Sequence, residues 1–190
     1  MSLEEFSLYV LDITMNSVRA GADRIGVTLE ESGDMLIFTV TDNGCGMSDE
    51  TVKKISDPFF TTRKTRGVGL GIPFLKMLSE QTGGSLSIES REKSEHPDDH
   101  GTTVTASFGL HHIDFIPLGN MFDTVITLIQ GYPDIDFNYD HTTPRGTVHL
   151  SCSELKAVLG DDISLASFEV LEWIRGYLAE SYEAINKKTN

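Results

Sequence analysis

The sequence predicts an α/β (α+β) protein, built as a two-layer sandwich with a small α+β appendage at its C-terminal end. Three observations predict this. Residues 1–110 alternate as helix, hairpin, loop, helix, hairpin. Glycine-rich turns punctuate those elements. Beyond residue 110 the pattern changes to a helix, two short strands and two further helices. A chain of 190 residues has room for one large domain or a domain plus an appendage. The boundaries are placed at 1–110 and 111–190. With 39% hydrophobic and 23% charged residues, a sizeable core is available.

The elements follow in order. Residues 3–20 read as an amphipathic helix, with Leu8, Leu11, Met15 and Val18 at the spacing of a buried face and Gly21 as its stop. Ile25, Val27 and Leu29 alternate over 24–30 as in a half-buried strand. Residues 35–41 read as a more fully buried strand. A glycine loop spans Asp42 to Met47, and Ser48 is placed as N-cap of a short helix over 49–55. Residues 56–70 lack periodicity and read as a loop. A helix opens near Ile72 with Pro73 in its first turn and ends at Gly83-Gly84. Strands are expected over 85–91 and 102–108, joined by an acidic loop from Glu92 to His100. In the remainder, helices are expected over 117–131, 153–159 and 164–184, and strands over 135–140 and 146–152. Trp173, with Phe168, Leu171 and Ile174, reads as core.

The net charge of −14 disfavours nucleic acid and anionic membrane as main partners. Lys53, Lys54, Arg63, Lys64 and Arg66 form a local basic island. No stretch approaches the length of a membrane span. The acidic start Met1-Ser2-Leu3-Glu4-Glu5 is unlike a signal peptide. Two cysteines make no disulfide framework, so a cytoplasmic location is expected.

Four segments carry chemistry. Asp12 and Asn16 lie four apart on one helix face, where a carboxylate and an amide oxygen can hold Mg²⁺ with its waters; a polar helix flank would look the same. Asp42-Asn43-Gly44-Cys45-Gly46 follows a strand. Its carboxylate can accept from the exocyclic amine of adenine while Gly44 and Gly46 admit close backbone approach, although a tight turn uses the same residues. Asp57-Pro58-Phe59-Phe60-Thr61-Thr62-Arg63 supplies hydroxyls and a cation. Gly67-Val68-Gly69-Leu70-Gly71, just before a helix, offers bare N–H groups and a positive helix end to phosphates. Its spacing is not the dinucleotide fingerprint.

In this order the four segments resemble the N box, first glycine box, F box and second glycine box of the histidine-kinase-like (GHKL) ATPase superfamily. Gly83-Gly84-Ser85-Leu86-Ser87-Ile88 and Gly101-Thr102-Thr103-Val104 complete the pattern. The resemblance covers about residues 4–109. The Phe59-to-Arg63 run and short lid look most like sensor histidine kinases, and Asn16-Ser17-Val18-Arg19-Ala20-Gly21-Ala22 looks equally like the mismatch-repair branch. The resemblance implies a Bergerat-type fold, a mixed sheet of four or five strands under three helices, with ATP between the helices and a lid. It further implies that Asn16 binds Mg²⁺, Asp42 reads adenine, and Gly44 and Gly46 shape its pocket. Gly67, Gly69 and Gly71 would contact phosphates together with Leu70, Thr61, Thr62 and Arg63. Thr102 would support the adenine end, and Phe59 and Phe60 would anchor the lid.

Two departures matter. Position 12 is Asp where hydrolytic members carry Glu as general base, and Asp is one methylene shorter. Asp12 is the catalytic candidate, but efficient unaided hydrolysis is not expected. The chain also begins at the N-box helix, so the upstream dimerising hairpin of sensor kinases, with its phospho-accepting histidine, is not expected in it. His112-x-x-x-x-Pro117-Leu118 repeats part of that histidine motif's spacing, with Ile113 in place of the acidic residue. His96, His100, His149, Cys45 and Cys152 receive no chemistry.

The expectation is therefore an ATP- and Mg²⁺-dependent regulatory kinase whose acceptor is a partner protein, with His112 as a lesser alternative. A non-hydrolysing switch read out by the appendage is the second reading, and a weak ATPase cycling through a homodimer the third.

Overall fold

The computed structural model describes residues 5–55, 71–160 and 162–187. Apolar alternation turns residues 24–42 into a hairpin. Strand β1 (Arg24–Ser32) buries Ile25, Val27 and Leu29, and β2 (Met35–Asp42) buries Leu36, Phe38 and Val40. The two are antiparallel, with Val27 opposite Val40 and Leu29 opposite Phe38. The fuller burial expected of residues 35–41 is replaced by alternation, because among the described residues only one face of this strand is buried. Strands β3 (Leu86–Arg91) and β4 (Gly101–Gly109) follow, and β4 pairs with β2, placing Val104 against Val40 and Phe108 against Leu36.

Two more strands come from beyond residue 110. β5 (Asp136–Thr143) runs parallel to β1, Phe137 opposite Ile25 and Tyr139 opposite Val27, and β6 (Gly146–Ser151) closes a hairpin with it. The result is one six-stranded mixed sheet in the order β3-β4-β2-β1-β5-β6. The strands expected of the appendage thus extend the sheet of the first 110 residues, and their buried side chains join the same hydrophobic core.

The helical layer consists of α1 (Phe6–Arg19), α2 (Asp49–Ile55), α3 (Gly71–Gln81), α4 (Met121–Gly131), α5 (Cys152–Leu159) and α6 (Phe168–Lys187). Helix α1 lies over β1 and β2, flanked by α3 and α4. Its buried face is Phe6, Ser7, Tyr9, Val10, Ile13, Thr14 and Ser17; Leu8 is 41% exposed, and Leu11, Met15 and Val18 only flank the core. The expected face is therefore rotated, because the true stripe includes Ser7, Thr14 and Ser17, which a search for apolar spacing passes over. Phe6 packs edge-on against Phe38 at 5.4 Å and Phe108 at 5.1 Å between ring centres. The α1 N-terminus is satisfied by neighbouring chain, as the Phe6 and Ser7 amides donate to Pro117 O (2.8 Å) and Leu118 O (2.9 Å). That pairing keeps residues 117–118 out of helix, so α4 starts later than expected, with Asn120 Oδ1 accepting from the Asp123 amide at 3.1 Å. Ser48 caps α2 as expected, accepting from the Thr51 amide at 3.4 Å.

In α6, Leu171, Ile174 and Leu178 are buried, but Trp173 is 55% and Phe168 74% exposed. The expectation that Trp173 and Phe168 belong to the core is wrong, because this helix is apolar on more than the face it buries. A polar relay ties α6 to the sheet. Tyr139 and Tyr182 hydroxyls lie 2.6 Å apart, Tyr182 Oη lies 2.8 Å from His141 Nδ1, and His141 Nε2 lies 3.1 Å from Glu31 Oε1. Burial lowers the His141 pKa from its ordinary 6.5, against the opposing pull of Glu31. The unfolded chain therefore binds this proton first on acidification. The stability gained by keeping His141 neutral is present above pH 6.5 and is lost as pH falls from there towards the folded value. Urea titrations across mildly acidic pH should show a steeper loss for the native sequence than for His141→Gln.

Candidate functional site

The site begins where β2 runs out. Asp42 shares its parity with Leu36, Phe38 and Val40, so its side chain rises on the helix-covered face. Thr102, its cross-strand partner on β4, rises beside it with the parity of Val104. The last turns of α1 stand opposite. A cavity of about 210 Å³ forms between them, bringing together Asn16 and Ser17 of α1, Asp42 of β2, Gly46 of the glycine loop and Thr102 of β4. Its apolar walls include Ile13, Ile55 and Ile72. A small, largely apolar cleft with a few convergent polar groups suits a flat heteroaromatic ligand.

Both oxygens of Asp42 are held. Ser17 Oγ donates to Oδ2 at 2.5 Å and the Gly44 amide donates to Oδ1 at 2.8 Å. Each carboxylate oxygen keeps a further lone pair for a ligand amine. Thr102 Oγ1 lies 2.8 Å from Ser90 Oγ, which accepts from the Met47 amide at 2.8 Å. Thus Ser17 orients the carboxylate, and Ser90 fixes Thr102 to the glycine loop. Losing the Ser17 hydroxyl removes one charge-assisted bond from a half-buried carboxylate, so Ser17→Ala should weaken ATP binding by roughly tenfold, about 1.5 kcal/mol, in a calorimetric titration.

The glycines are required by contact. A Cβ on Gly44 would lie 2.8 Å from Ala20 Cβ and 2.9 Å from Ala20 O, while the Cys45 amide donates to that same carbonyl at 2.9 Å. The loop therefore rests directly on the end of α1. His100, read from sequence without a role, braces it from the other side, with Nδ1 2.6 Å from Gly44 O.

Asp12 and Asn16 do share a face of α1, both half-buried. They face different neighbours. Asn16 lines the cavity and accepts from Arg19 Nη1 at 3.1 Å. Asp12 presses on Gly71, the first residue of α3, where a Cβ would fall 1.9 Å from Oδ2. Its carboxylate thus lies at the positive end of that helix. Among the described residues no group of three or more His, Cys, Asp or Glu could by itself hold a metal. One amide oxygen with a carboxylate one turn away still fits Mg²⁺, a hard ion that retains waters and takes most of its remaining ligands from phosphates. Phe59, Phe60, Thr61, Thr62, Arg63, Gly67, Gly69 and Leu70 lie outside the described residues.

The remaining candidates fall elsewhere. His112 follows the Gly109 end of β4, roughly 24 Å along the strand from Thr102. Its Nδ1 accepts from the Asp114 amide at 3.2 Å. His149 is engaged by Asp140 (2.6 Å) and Glu154 (3.5 Å), and the Asp140 hydrogen bond raises its pKa. Cys152 is buried, which pushes its thiol up to about 11. Sequence reasoning missed Ser17, Arg19, Ala20, Met47 and Ser90. For Ser17 alone a signal existed, since it continues the buried Val10, Ile13 spacing as a polar residue.

The family model for histidine kinase-, DNA gyrase B- and HSP90-like ATPases matches residues 4–112, more than half of the chain. The chain belongs to this ATPase family. Among curated proteins, this family member is 37% identical over 86 residues to the sensor histidine kinase ZraS of Salmonella typhi, covering 44% of this chain and 18% of that one. It is 31% identical over 99 residues to sporulation kinase B of Bacillus subtilis (strain 168), covering 50% of this chain and 22% of the kinase. The matches thus span about a fifth of the length of these relatives. Among solved structures, the Aquifex aeolicus MutL ATPase domain complexed with ADP superposes with a TM-score of 0.52 at 19% identity, covering 83% of this chain and 68% of that chain. At that identity the likeness is one of fold, and it extends past the residues that the family model matches.

Proposed function

We propose that this chain binds Mg²⁺-ATP in the cavity beneath α1 and acts as a regulatory protein kinase, passing the γ-phosphoryl group to a partner protein. One observation carries the reading: Asp42 and Thr102 stand side by side on the sheet and face Asn16 across a single cavity. ATP supplies the transferable phosphoryl group, and Mg²⁺ neutralises charge on it. The residues position and select. Asp42, oriented by Ser17 and Gly44, accepts from the adenine amine, and Thr102 supports that end. Asn16 supplies an oxygen to the ion. Asp12 has a short side chain set against Gly71, which suits an ion- or water-positioning role better than a self-sufficient base for hydrolysis.

The same feature favours one second reading, a switch that binds ATP without turnover. It needs only that ATP bind two conformations with different affinity. A weak ATPase working as a homodimer ranks third. The cytoplasm is the proposed compartment; among the described residues no helix is long and apolar enough to cross a membrane.

The test is the fate of the γ-phosphate. The purified chain is incubated with Mg²⁺ and γ-labelled ATP, and label is partitioned among protein, free phosphate and intact ATP. Transfer to an added partner, or to the chain itself, supports the kinase. Label remaining wholly in bound ATP supports the switch. Release of free phosphate that stops in Asp12→Asn supports the ATPase.

A further inference from the structure

Helices α5 and α6 leave an apolar groove uncovered. Leu155, Val158 and Leu159 of α5 form one wall and Val170 and Trp173 of α6 the other, with Ile163 of the connecting segment also lining a cavity of about 950 Å³. Val158 is 85% and Trp173 55% exposed. The groove is held in shape. Trp173 stacks on Tyr177 with ring centres 5.4 Å apart and planes 7° from parallel, and Tyr177 Oη donates to His149 O on β6 at 2.9 Å. An aromatic wall fixed by stacking and a backbone hydrogen bond loses little side-chain entropy on binding. A contiguous exposed apolar surface of this kind marks a place where another molecule is received.

We infer that this groove receives a basic amphipathic helix from a protein partner. The rim sets the charge. Asp162 and Glu169 line the groove, both are exposed, and neither has an ion-pair partner among the described residues. Arg175, the cation on the next turns of α6, is committed to Asp123 and Glu172. A second copy of this chain would set the same two carboxylates, and a net charge of −14, against themselves. A partner with Lys or Arg flanking its apolar stripe meets no such repulsion. The walls set the conformation. Both are helices whose backbone groups are internally bonded, so neither wall offers an extended segment an edge to pair with. A helix satisfies its own backbone and lays apolar side chains between the walls. The groove is built from elements that do not line the Asp42 cavity. This inference rests on the proposed kinase or switch reading only in supplying the docking site for its partner.

Trp173 is the only tryptophan of the chain, so its emission reports occupancy directly. The full chain, without nucleotide, is titrated with a Leu/Lys amphipathic helical peptide and with its Leu/Glu counterpart. The Leu/Lys peptide should give a saturable blue shift. Val158→Asp and Glu169→Lys, both at exposed positions, should each weaken it by about tenfold or more. No response to the Leu/Lys peptide, equal response to both peptides, or binding unchanged by Val158→Asp would overturn the inference. So would a blue shift that grows with protein concentration alone, which would make a second copy the occupant. Because no nucleotide is present, failure here leaves the ATP reading intact, and failure to bind ATP leaves this result intact.

Discussion

Asp42→Asn is expected to weaken ATP binding by roughly 10- to 150-fold, the loss of about 1.5–3 kcal/mol carried by hydrogen bonds to a charged group. The carboxylate stands at the end of β2 with one oxygen accepting from Ser17 and the other from the Gly44 amide. Both bonds are charge-assisted and both fix the direction in which the remaining lone pairs point. An amide of the same shape replaces one oxygen with a donor. Turned toward Gly44 or the ligand's amine, that donor would meet another donor; turned toward Ser17, it reverses that bond and loses its charge assistance. Discrimination should suffer more than affinity. The native site, acceptor-only at this position, favours a base that presents an amine; Asp42→Asn can also face a carbonyl. Calorimetric titration with ATP and GTP should show a strong preference for ATP in the native chain and a much smaller one in the variant. Equal affinity of the native chain for both nucleotides would remove Asp42 from its assigned role.

The second large effect is structural. Gly46→Ala should cost about 2–5 kcal/mol of stability, adding a left-handed backbone penalty to a packing clash. Gly46 has φ +64°, and a Cβ there would fall 1.9 Å from the carbonyl oxygen of Arg91. Neither backbone can withdraw cheaply. The loop is tied to the end of β3 by Met47 N to Ser90 Oγ at 2.8 Å and to the residues after it by Lys93 N to Cys45 O at 2.9 Å. Gly21→Ala is the matched control. Its φ is +73°, yet nothing lies within 4 Å of the added Cβ, so only the conformational penalty of about 1–2 kcal/mol applies. Chemical denaturation of the two variants should separate them by the size of the clash. Gly46→Ala should also lose ATP binding, because Gly46 lines the cavity and its neighbour Met47 is bonded to the Ser90 that holds Thr102.

Much of the architecture was legible because it rests on short-range patterns. The alternation of Ile25, Val27 and Leu29 specified a strand with one buried face, and β1 buries those three residues. Ser48 before an acidic first turn specified a helix start, and the cap is present. Failures came where a pattern was mixed. The buried face of α1 contains Thr14 and Ser17, so counting apolar residues selected the neighbouring stripe that includes Leu8. In α6 the apolar residues exceed what the core accepts, and sequence could not say that Trp173 would be left outside.

The sequence by itself determined the two-layer class, the order of most elements and the four motifs whose order matches an ATPase family. Motifs of that kind are written in contiguous residues, because each serves one turn, one helix face or one glycine bend. Tertiary structure alone decided the rest. Register brought Asp42 and Thr102, sixty residues apart in the chain, onto adjacent positions of one face. Packing of the glycine loop on the end of α1 made Ser17 and Ala20 part of the site. Parallel pairing of β5 with β1 carried β5 and β6, from the last third of the chain, into the same sheet. No local pattern encodes which distant strand a half-buried strand will choose, because that choice is settled by the summed burial of both faces once the chain has folded.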